Sequence, residues 1–241
     1  MNGESAEEIV VLDQQERCSY LADHTARMPL RRPLGPLTRE QLDERLADGD
    51  RRSGLYLYRP KCPACDSCEA LRVDVARFLP SRTQRRIERR GNPLFEVIIG
   101  PPQVDEHRVH LFNAHREQRG LATADHRIDE AGYVAFLTES CCETLEMTYL
   151  LQGQLAAVAI VDRGRLAMSA VYCYYDVAFS RYSPGVFSVL TQIRLCREWK
   201  IKYLYLGYYI QQSPHMSYKA GYLAHERRVA GQWQRFEKDE G

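Results

Sequence analysis

The sequence predicts an α/β (α+β) protein in which a mixed sheet is flanked by helices. Residues 144–175 have the pattern of three consecutive strands, and an amphipathic helix and a further strand follow them. A meander followed by a helix and a strand is an α/β layer arrangement rather than an all-β one. The 241 residues, 44% of them hydrophobic, are enough for one large or two small domains with a proper core.

The N-terminal half predicts short elements between basic segments. Residues 1–16 lack hydrophobic periodicity and are predicted to be a flexible tail. Thr38 with Gln41 is a capping box, which predicts a short helix that Gly49 ends. Residues 55–59 alternate like a strand, and Ser81 with Gln84 marks the start of a second helix.

The break at Gly100-Pro-Pro102 divides the chain into two predicted domains, a cysteine- and arginine-rich one over residues 17–100 and a C-terminal one over residues 103–236. The remaining elements follow the usual signals of hydrophobic period and turn residues. They are strands over 94–99, 144–151, 154–161, 166–175 and 201–206, and helices over 103–119, over 130–140 and from Ser183-Pro-Gly185 onward, the last with Phe187, Leu190 and Ile193 on its buried face.

The net charge of +1 conceals a basic segment. Residues 17–92 carry seventeen Lys or Arg against ten Asp or Glu, so an anionic partner is expected to bind the first half of the chain. The N-terminus does not resemble a secretion signal, and no apolar run approaches the roughly 18 residues of a membrane span. We therefore expect a cytoplasmic protein with no membrane partner, whose eight cysteines are unpaired, metal-bound or catalytic.

An arginine-rich helix is the clearest binding feature. Arg82, Arg85, Arg86 and Arg89 fall at i, i+3, i+4 and i+7, which places four guanidinium groups on one helix face, with only Glu88 nearby to neutralise them. Guanidinium groups fork onto phosphates, so a nucleic acid is the predicted partner. The alternative is a solvated basic helix whose arginines pair with acids elsewhere.

Three cysteines, Cys62, Cys65 and Cys68, have the spacing of zinc knuckles and of the first part of an iron–sulfur run. A fourth ligand is missing locally. Cys18 and the adjacent pair Cys141-Cys142 are the remote candidates, and small, partly buried thiols with no metal are the alternative.

Two strand ends in the C-terminal half could form a binding site. The strand that ends at Tyr175-Asp176 leads to the helix that Ser183-Pro-Gly185 opens, and free backbone N–H groups there favour an anion or a carbonyl. A single glycine is weak support for coenzyme A. Tyr218 and Lys219 could hold a phosphate or a terminal ribose, with a surface lysine as the alternative. No motif for a covalent nucleophile is present, so catalysis would depend on positioning.

In order and spacing, several motifs resemble the aminoacyl-tRNA protein transferases of the N-degron pathway, in particular the short bacterial leucyl-transferase form. The resemblance runs from about Cys18 to Trp233. It rests chiefly on Cys18-Ser-Tyr-Leu21, Pro80-Ser-Arg-Thr-Gln-Arg-Arg86, Ser169-Ala-Val-Tyr172 with Tyr175-Asp176, and Met216-x-Tyr-Lys219.

The resemblance implies that leucine or arginine is transferred from charged tRNA to the N-terminal Asp or Glu of proteins. It also implies an acetyltransferase-like (GNAT) catalytic half with a smaller cysteine-containing N-terminal region. No cofactor is needed for this chemistry. An iron–sulfur cluster is associated with the N-terminal cysteines of some members, which makes Cys18 the expected fourth ligand, with zinc as the other candidate metal.

Site residues follow from the motifs and the resemblance together. We expect Asp176 to hold or deprotonate the attacking amine, with Tyr175 and Ser169 as further catalytic residues. The expected ligands of tRNA phosphates are Arg82, Gln84, Arg85, Arg86, Arg89, Tyr218 and Lys219, and those of the acidic acceptor side chain are Arg72 and Arg181. The rival functions are a coenzyme A-dependent acetyltransferase and a metal- or redox-regulated RNA-binding protein.

Overall fold

The structure is a computed structural model that describes residues 6–122 and 124–237. The strands are β1 Glu8–Leu12, β2 Gln15–Arg17, β3 Thr25–Arg27, β4 Leu30–Pro33, β5 Arg51–Ser53, β6 Tyr56–Tyr58, β7 Glu69–Asp74, β8 Phe95–Gly100, β9 Thr144–Leu151, β10 Gln154–Arg163, β11 Ala167–Tyr175, β12 Tyr203–Tyr209, β13 His225–Val229 and β14 Gln232–Phe236.

The α-helices are α1 Arg39–Ala47, α2 Arg82–Gly91, α3 Glu106–Gln118, α4 Glu130–Tyr133, α5 Pro184–Glu198 and α6 Pro214–Ser217. A π-helical turn, Val134–Thr138, continues α4, and 3₁₀ turns lie at Ala124–His126, Val177–Tyr182 and Tyr218–Gly221. Within the part of the chain that the structure describes, no helix is long and apolar enough to cross a membrane.

Eight strands form one large mixed sheet in the order β14-β13-β7-β12-β11-β10-β9-β8. Neighbouring strands are antiparallel except β11 and β12, which run parallel. A parallel pair needs a crossover connection, and α5 provides it. The predicted mixed sheet flanked by helices is therefore confirmed.

The core lies on both faces of this sheet, because alternate residues of β10 point to opposite sides. Ala157, Ala159 and Val161 pack in the same cluster as Phe187 of α5, whereas Val158 and Ile160 pack with α3 and α4. Phe187, Leu190 and Ile193 are buried, as their spacing predicts.

Both capping boxes form as predicted. The Thr38 hydroxyl accepts the Gln41 N–H at 3.2 Å, while the Gln41 side chain accepts the Thr38 N–H at 3.0 Å. Ser81 and Gln84 exchange the equivalent bonds at the start of α2, at 3.2 and 2.8 Å. Each box satisfies two N–H groups that have no partner within the helix, which explains why these two starts are readable from sequence.

The N-terminal region differs from the prediction. Residues 8–12, assigned to a flexible tail, form β1 at the edge of a small sheet of order β1-β4-β6-β5. Main-chain pairing to β4 and an ion pair from Glu8 to Arg31 hold this strand, although its side chains are mostly exposed and therefore show no hydrophobic period. Residues 1–5 lie outside the described part.

Strands β7, β13 and β14 have no counterpart in the sequence prediction. β13 and β14 are rich in charged and polar residues and only partly buried, so they lack the alternation that identifies a strand. β7 and β8 belong to the large sheet although they precede the break at residues 101–102. The two-domain division stays a prediction.

His225 provides a test of this packing through pH. The residue is 2% exposed, its ring stacks on Phe236, and burial lowers its pKa from 6.5 to about 4. Because the folded protein resists protonating this ring, stability is lost as pH falls from 6.5 towards 4. We expect the free energy of unfolding to fall by about 1–2 kcal/mol more in the native protein than in His225→Phe between pH 7 and pH 5, measured by urea denaturation. Equal losses in both proteins would contradict this placement.

Candidate functional site

The site is built around the point where β11 and β12 separate. Their ladder pairs Ala167 with Tyr203 and ends at Ser169 with Tyr205. β11 continues to Tyr175 and β12 to Tyr209 without pairing to each other. We call this opening the strand fork. Both strands present main-chain groups into it that no neighbouring strand satisfies, so these groups need other partners.

Two buried cations occupy the strand fork. Arg51 of β5 donates to the Ser169 hydroxyl at 2.8 Å and to the Ala170 carbonyl at 2.6 Å. Lys219 donates to the Tyr208 carbonyl at 2.6 Å. Burial lowers the pKa of Lys219 to about 7, and the charge of Arg51 contributes to the same shift. Lys219 is thus an interior group and not the surface lysine that was the alternative to its predicted phosphate contact.

The three residues predicted as catalytic do not lie together. Ser169 is at the base of the strand fork, where its hydroxyl accepts from Arg51. Asp176 follows the other end of β11, seven positions later, so extended geometry separates the two by roughly 20 Å. The Asp176 carboxylate accepts the Ala178 N–H at 2.8 Å and caps a 3₁₀ turn. Tyr175, the last residue of β11, packs against Gly185 at the start of α5.

Helix α2 presents the predicted arginine face. Arg82, Arg85, Arg86 and Arg89 are all exposed, and none of the four has a carboxylate within salt-bridge distance among residues 6–122 and 124–237. Arg90 donates to the Arg181 carbonyl at 3.1 Å and lies over the Tyr182 ring, which joins the end of α2 to the segment before α5. The arginine face therefore lies beside the N-terminal end of α5.

Close packing fixes α2 in this place. Gly91, its last residue, lies so near Phe187 of α5 that a Cβ there would sit 2.4 Å from the ring. Gln84 is buried and serves the capping box, while its side-chain amide donates to the Gly221 carbonyl at 3.2 Å. Both polar ends of the Gln84 side chain are thus hydrogen-bonded inside the fold, and its predicted phosphate contact stays a prediction. Tyr218 is exposed.

Arg72 and Arg181 have contrasting surroundings. The Arg72 guanidinium pairs with Glu226 at 2.7 Å and lies over the Tyr203 and Trp233 rings, at 3.8 and 4.0 Å from their centroids. This pair joins β7 to β13 and neutralises the Arg72 charge within the sheet, and the acceptor contact of Arg72 stays a prediction. Arg181 is exposed and lies over the Tyr182 ring.

The N-terminal thiols gather beside the strand fork. Burial raises the pKa of Cys68 to about 12, and Cys62, Cys18 and Cys65 raise it further, so these four are neighbours. Cys141 and Cys142 interact with each other instead. Within the described ranges, however, no three Cys, His, Asp or Glu side chains converge closely enough to bind a metal ion. A zinc ion or an iron–sulfur cluster at these thiols stays a prediction, and the chemistry proposed below needs neither.

Arg51 is the functional candidate that sequence reasoning missed. Arg51 and Arg52 are consecutive in β5, and both are buried, at 7% and 6% exposure. Two adjacent buried arginines in a three-residue strand are unusual because charged residues are seldom fully buried unless they are paired. The sequence signal was the Arg-Arg dipeptide before Ser53 and Gly54.

Comparisons with known proteins match both halves of the chain to the same protein family. The family model described as "Arginine-tRNA-protein transferase, N terminus" matches residues 16–86, and its "C terminus" counterpart matches residues 107–229. The aspartate/glutamate leucyltransferase of Halorhodospira halophila is 36% identical over 211 residues, which cover 87% of this chain and 89% of that protein.

A second relative and a solved structure extend the comparison. The aspartate/glutamate leucyltransferase of Thiobacillus denitrificans is 34% identical over 226 residues, 94% of each protein. Among solved structures, L-PGS from Bacillus licheniformis is similar at 12% identity with a TM-score of 0.49, over 73% of this chain and 61% of that one. From the two family models and the curated relatives, the chain belongs to the arginine-tRNA-protein transferase family.

Proposed function

We propose that this protein transfers leucine from leucyl-tRNA to the N-terminal Asp or Glu of proteins, which marks them for degradation through the N-degron (N-end rule) pathway. The observation that carries the proposal is the arginine face of α2, which is exposed, has no carboxylate partner among the described residues, and lies beside the entrance of α5. The names of the curated relatives support leucine as the donor.

The reaction needs little from the protein. The acceptor's α-amine has a pKa of about 7.7–8.0, so a sizeable fraction is already neutral near pH 7. Its nitrogen attacks the ester carbonyl of leucyl-tRNA, a C–N bond forms, and the bond to the ribose oxygen breaks. The proton lost by nitrogen ends on that ribose oxygen. Positioning and removal of this proton are the protein's tasks.

The residues that position the substrates lie along the path from α2 to the strand fork. The arginine face, with exposed Arg181 beside it, holds the tRNA backbone and directs the aminoacyl end past Ser183 and Gly185 into the strand fork. Asp176 caps the turn before α5 with one carboxylate oxygen and so positions the helix start that the aminoacyl end passes. This arrangement of a parting parallel pair followed by a helix is the acetyltransferase-like feature of the proposal. The proposed location is the cytoplasm, where charged tRNA and protein N-termini meet.

Incubation of the purified protein with radiolabelled leucyl-tRNA and a peptide that begins with Asp is the direct test. We expect label in the Asp and Glu peptides and none in a peptide that begins with acetylated Asp, because that peptide has no free amine. Arginyl-tRNA in a parallel reaction distinguishes the donors. Label from neither tRNA would refute the proposal, label from acetyl-coenzyme A alone would favour an acetyltransferase, and tight tRNA binding without transfer would favour an RNA-binding protein.

A further inference from the structure

The charges in the strand fork differ from the other buried charges of this protein. Four other buried or nearly buried arginines each have a carboxylate partner. They pair as Arg31 with Asp50, Arg52 with Asp162, Arg72 with Glu226 and Arg108 with Glu146. Arg51 and Lys219 are 7% and 6% exposed, and their polar contacts are to two main-chain carbonyls, the Ser169 hydroxyl and the Met216 sulfur. No carboxylate in the described ranges pairs with either.

Two like charges buried side by side are costly, and the lowered pKa of Lys219, about 7, leaves this lysine partly neutral near pH 7, whereas Arg51 keeps its charge. An anion between the two compensates Arg51 and lets Lys219 keep its proton. Carbonyl and hydroxyl acceptors satisfy hydrogen bonds but supply no counter-charge. The protein neutralises its other buried arginines from within, so the absence of an internal acid at this one pair indicates that the anion comes from a ligand.

The geometry limits what that anion is. Gly207 has a φ of +89°, and a Cβ on it would lie 3.5 Å from both Arg51 Nη2 and Lys219 Nζ. Because both nitrogens are 3.5 Å from that Cβ position, they are no more than about 7 Å apart. Charge-assisted hydrogen bonds of about 2.7–2.9 Å to each nitrogen leave space between them for the two oxygens of a single carboxylate.

We propose that Arg51 and Lys219 bind the side-chain carboxylate of the acceptor's N-terminal Asp or Glu, and so select acidic acceptors. This inference rests on the transferase function proposed above. The two cations hold their positions through carbonyls of opposite strands, Ala170 on β11 and Tyr208 on β12. The strand fork itself is thus the frame of the acceptor site, while the arginine face remains for tRNA.

The test compares acceptor selectivity with tRNA affinity. Leucine transfer is measured to two peptides that differ only in beginning with Asp or Asn, using the native protein, Lys219→Met and Arg51→Lys. Lys202→Met is the matched control, because Lys202 is exposed outside the site. We expect the Asp-to-Asn ratio of kcat/KM to fall by about 100-fold in Lys219→Met and to stay unchanged in Lys202→Met. Arg51→Lys keeps the charge and should retain most of the preference for Asp over Asn.

Binding measurements separate this inference from the proposed function. Calorimetry with the dipeptides Asp-Leu and Asn-Leu should show tighter binding of Asp-Leu to the native protein, and Lys219→Met should lose that difference. This result in a protein that transfers no leucine would refute the transferase function and leave the carboxylate site standing. A folded Lys219→Met with an unchanged Asp-to-Asn ratio would overturn the inference. So would a loss of tRNA affinity with selectivity intact, because the anion would then be a tRNA phosphate.

Discussion

Replacing both Arg85 and Arg86 by glutamate is expected to weaken the binding of leucyl-tRNA by about 100-fold at low salt. Both side chains are exposed on α2, and neither forms a salt bridge with another described residue. Their charge is therefore available to phosphates, and its reversal adds repulsion to the lost attraction. If each arginine neutralises one phosphate, the slope of log affinity against log salt should flatten by about 2. Filter binding over a series of salt concentrations measures both quantities.

A control variant must change the net charge by the same amount as the Arg85→Glu with Arg86→Glu variant, but away from α2. Arg32 on β4 and Arg165 in the turn before β11 are both exposed. Arg165 lies at the start of β11, whereas Tyr175, at the other end of this strand, packs against the start of α5. The double variant Arg32→Glu with Arg165→Glu should change tRNA affinity by less than about threefold at about 0.1 M salt, where charges are screened beyond a distance of about 10 Å. Equal losses in both double variants would mean that tRNA responds to total charge rather than to α2.

The arginine face and the two capping boxes could be predicted because their signals are local. A capping box needs two residues three positions apart, and one helix face needs a spacing of three or four. The same local signals gave Gln84 two predicted roles, a phosphate ligand and a capping-box residue. Its position among the arginines suggested a phosphate ligand, but the capping box already uses its side chain. The phosphate contact of Gln84 stays a prediction.

The strand fork could not be predicted, because it depends on contacts between distant segments. Arg51 and Ser169 are 118 positions apart, and Arg72 and Glu226 are 154 apart. A single sequence shows that Arg51 and Arg72 are charged but not which of them finds an acid. That difference decides their roles: Arg72 is neutralised within the sheet, whereas Arg51 is left for a ligand. Contacts between distant segments also explain why β1 was not predicted. Main-chain pairing with β4 forms this strand, and its mostly exposed side chains show no hydrophobic period.

The buried pair of Arg52 and Asp162 is expected to control stability rather than binding. Both side chains are 1% exposed, and Arg52 Nε lies 2.8 Å from the Asp162 carboxylate. The pair joins β5 of the small sheet to β10 of the large one. Arg52→Met would leave the Asp162 charge buried without its partner, so we expect the free energy of unfolding to fall by about 3–5 kcal/mol. Urea denaturation followed by circular dichroism measures this loss.

We attribute this large loss of unfolding free energy to the burial of the pair and not to its hydrogen-bond geometry. The exposed pair of Arg39 and Glu143, which has similar geometry, tests this explanation. Arg39 forms two hydrogen bonds to Glu143, at 2.6 and 2.9 Å, but both side chains are more than one-third exposed. Arg39→Met should therefore cost less than about 1 kcal/mol. Arg52→Met combined with Asp162→Leu should recover most of the loss, because no uncompensated charge stays buried. If the double variant were no more stable than Arg52→Met, the loss would come from Arg52's bonds to the Gly54 and Glu139 carbonyls rather than from the unpaired acid.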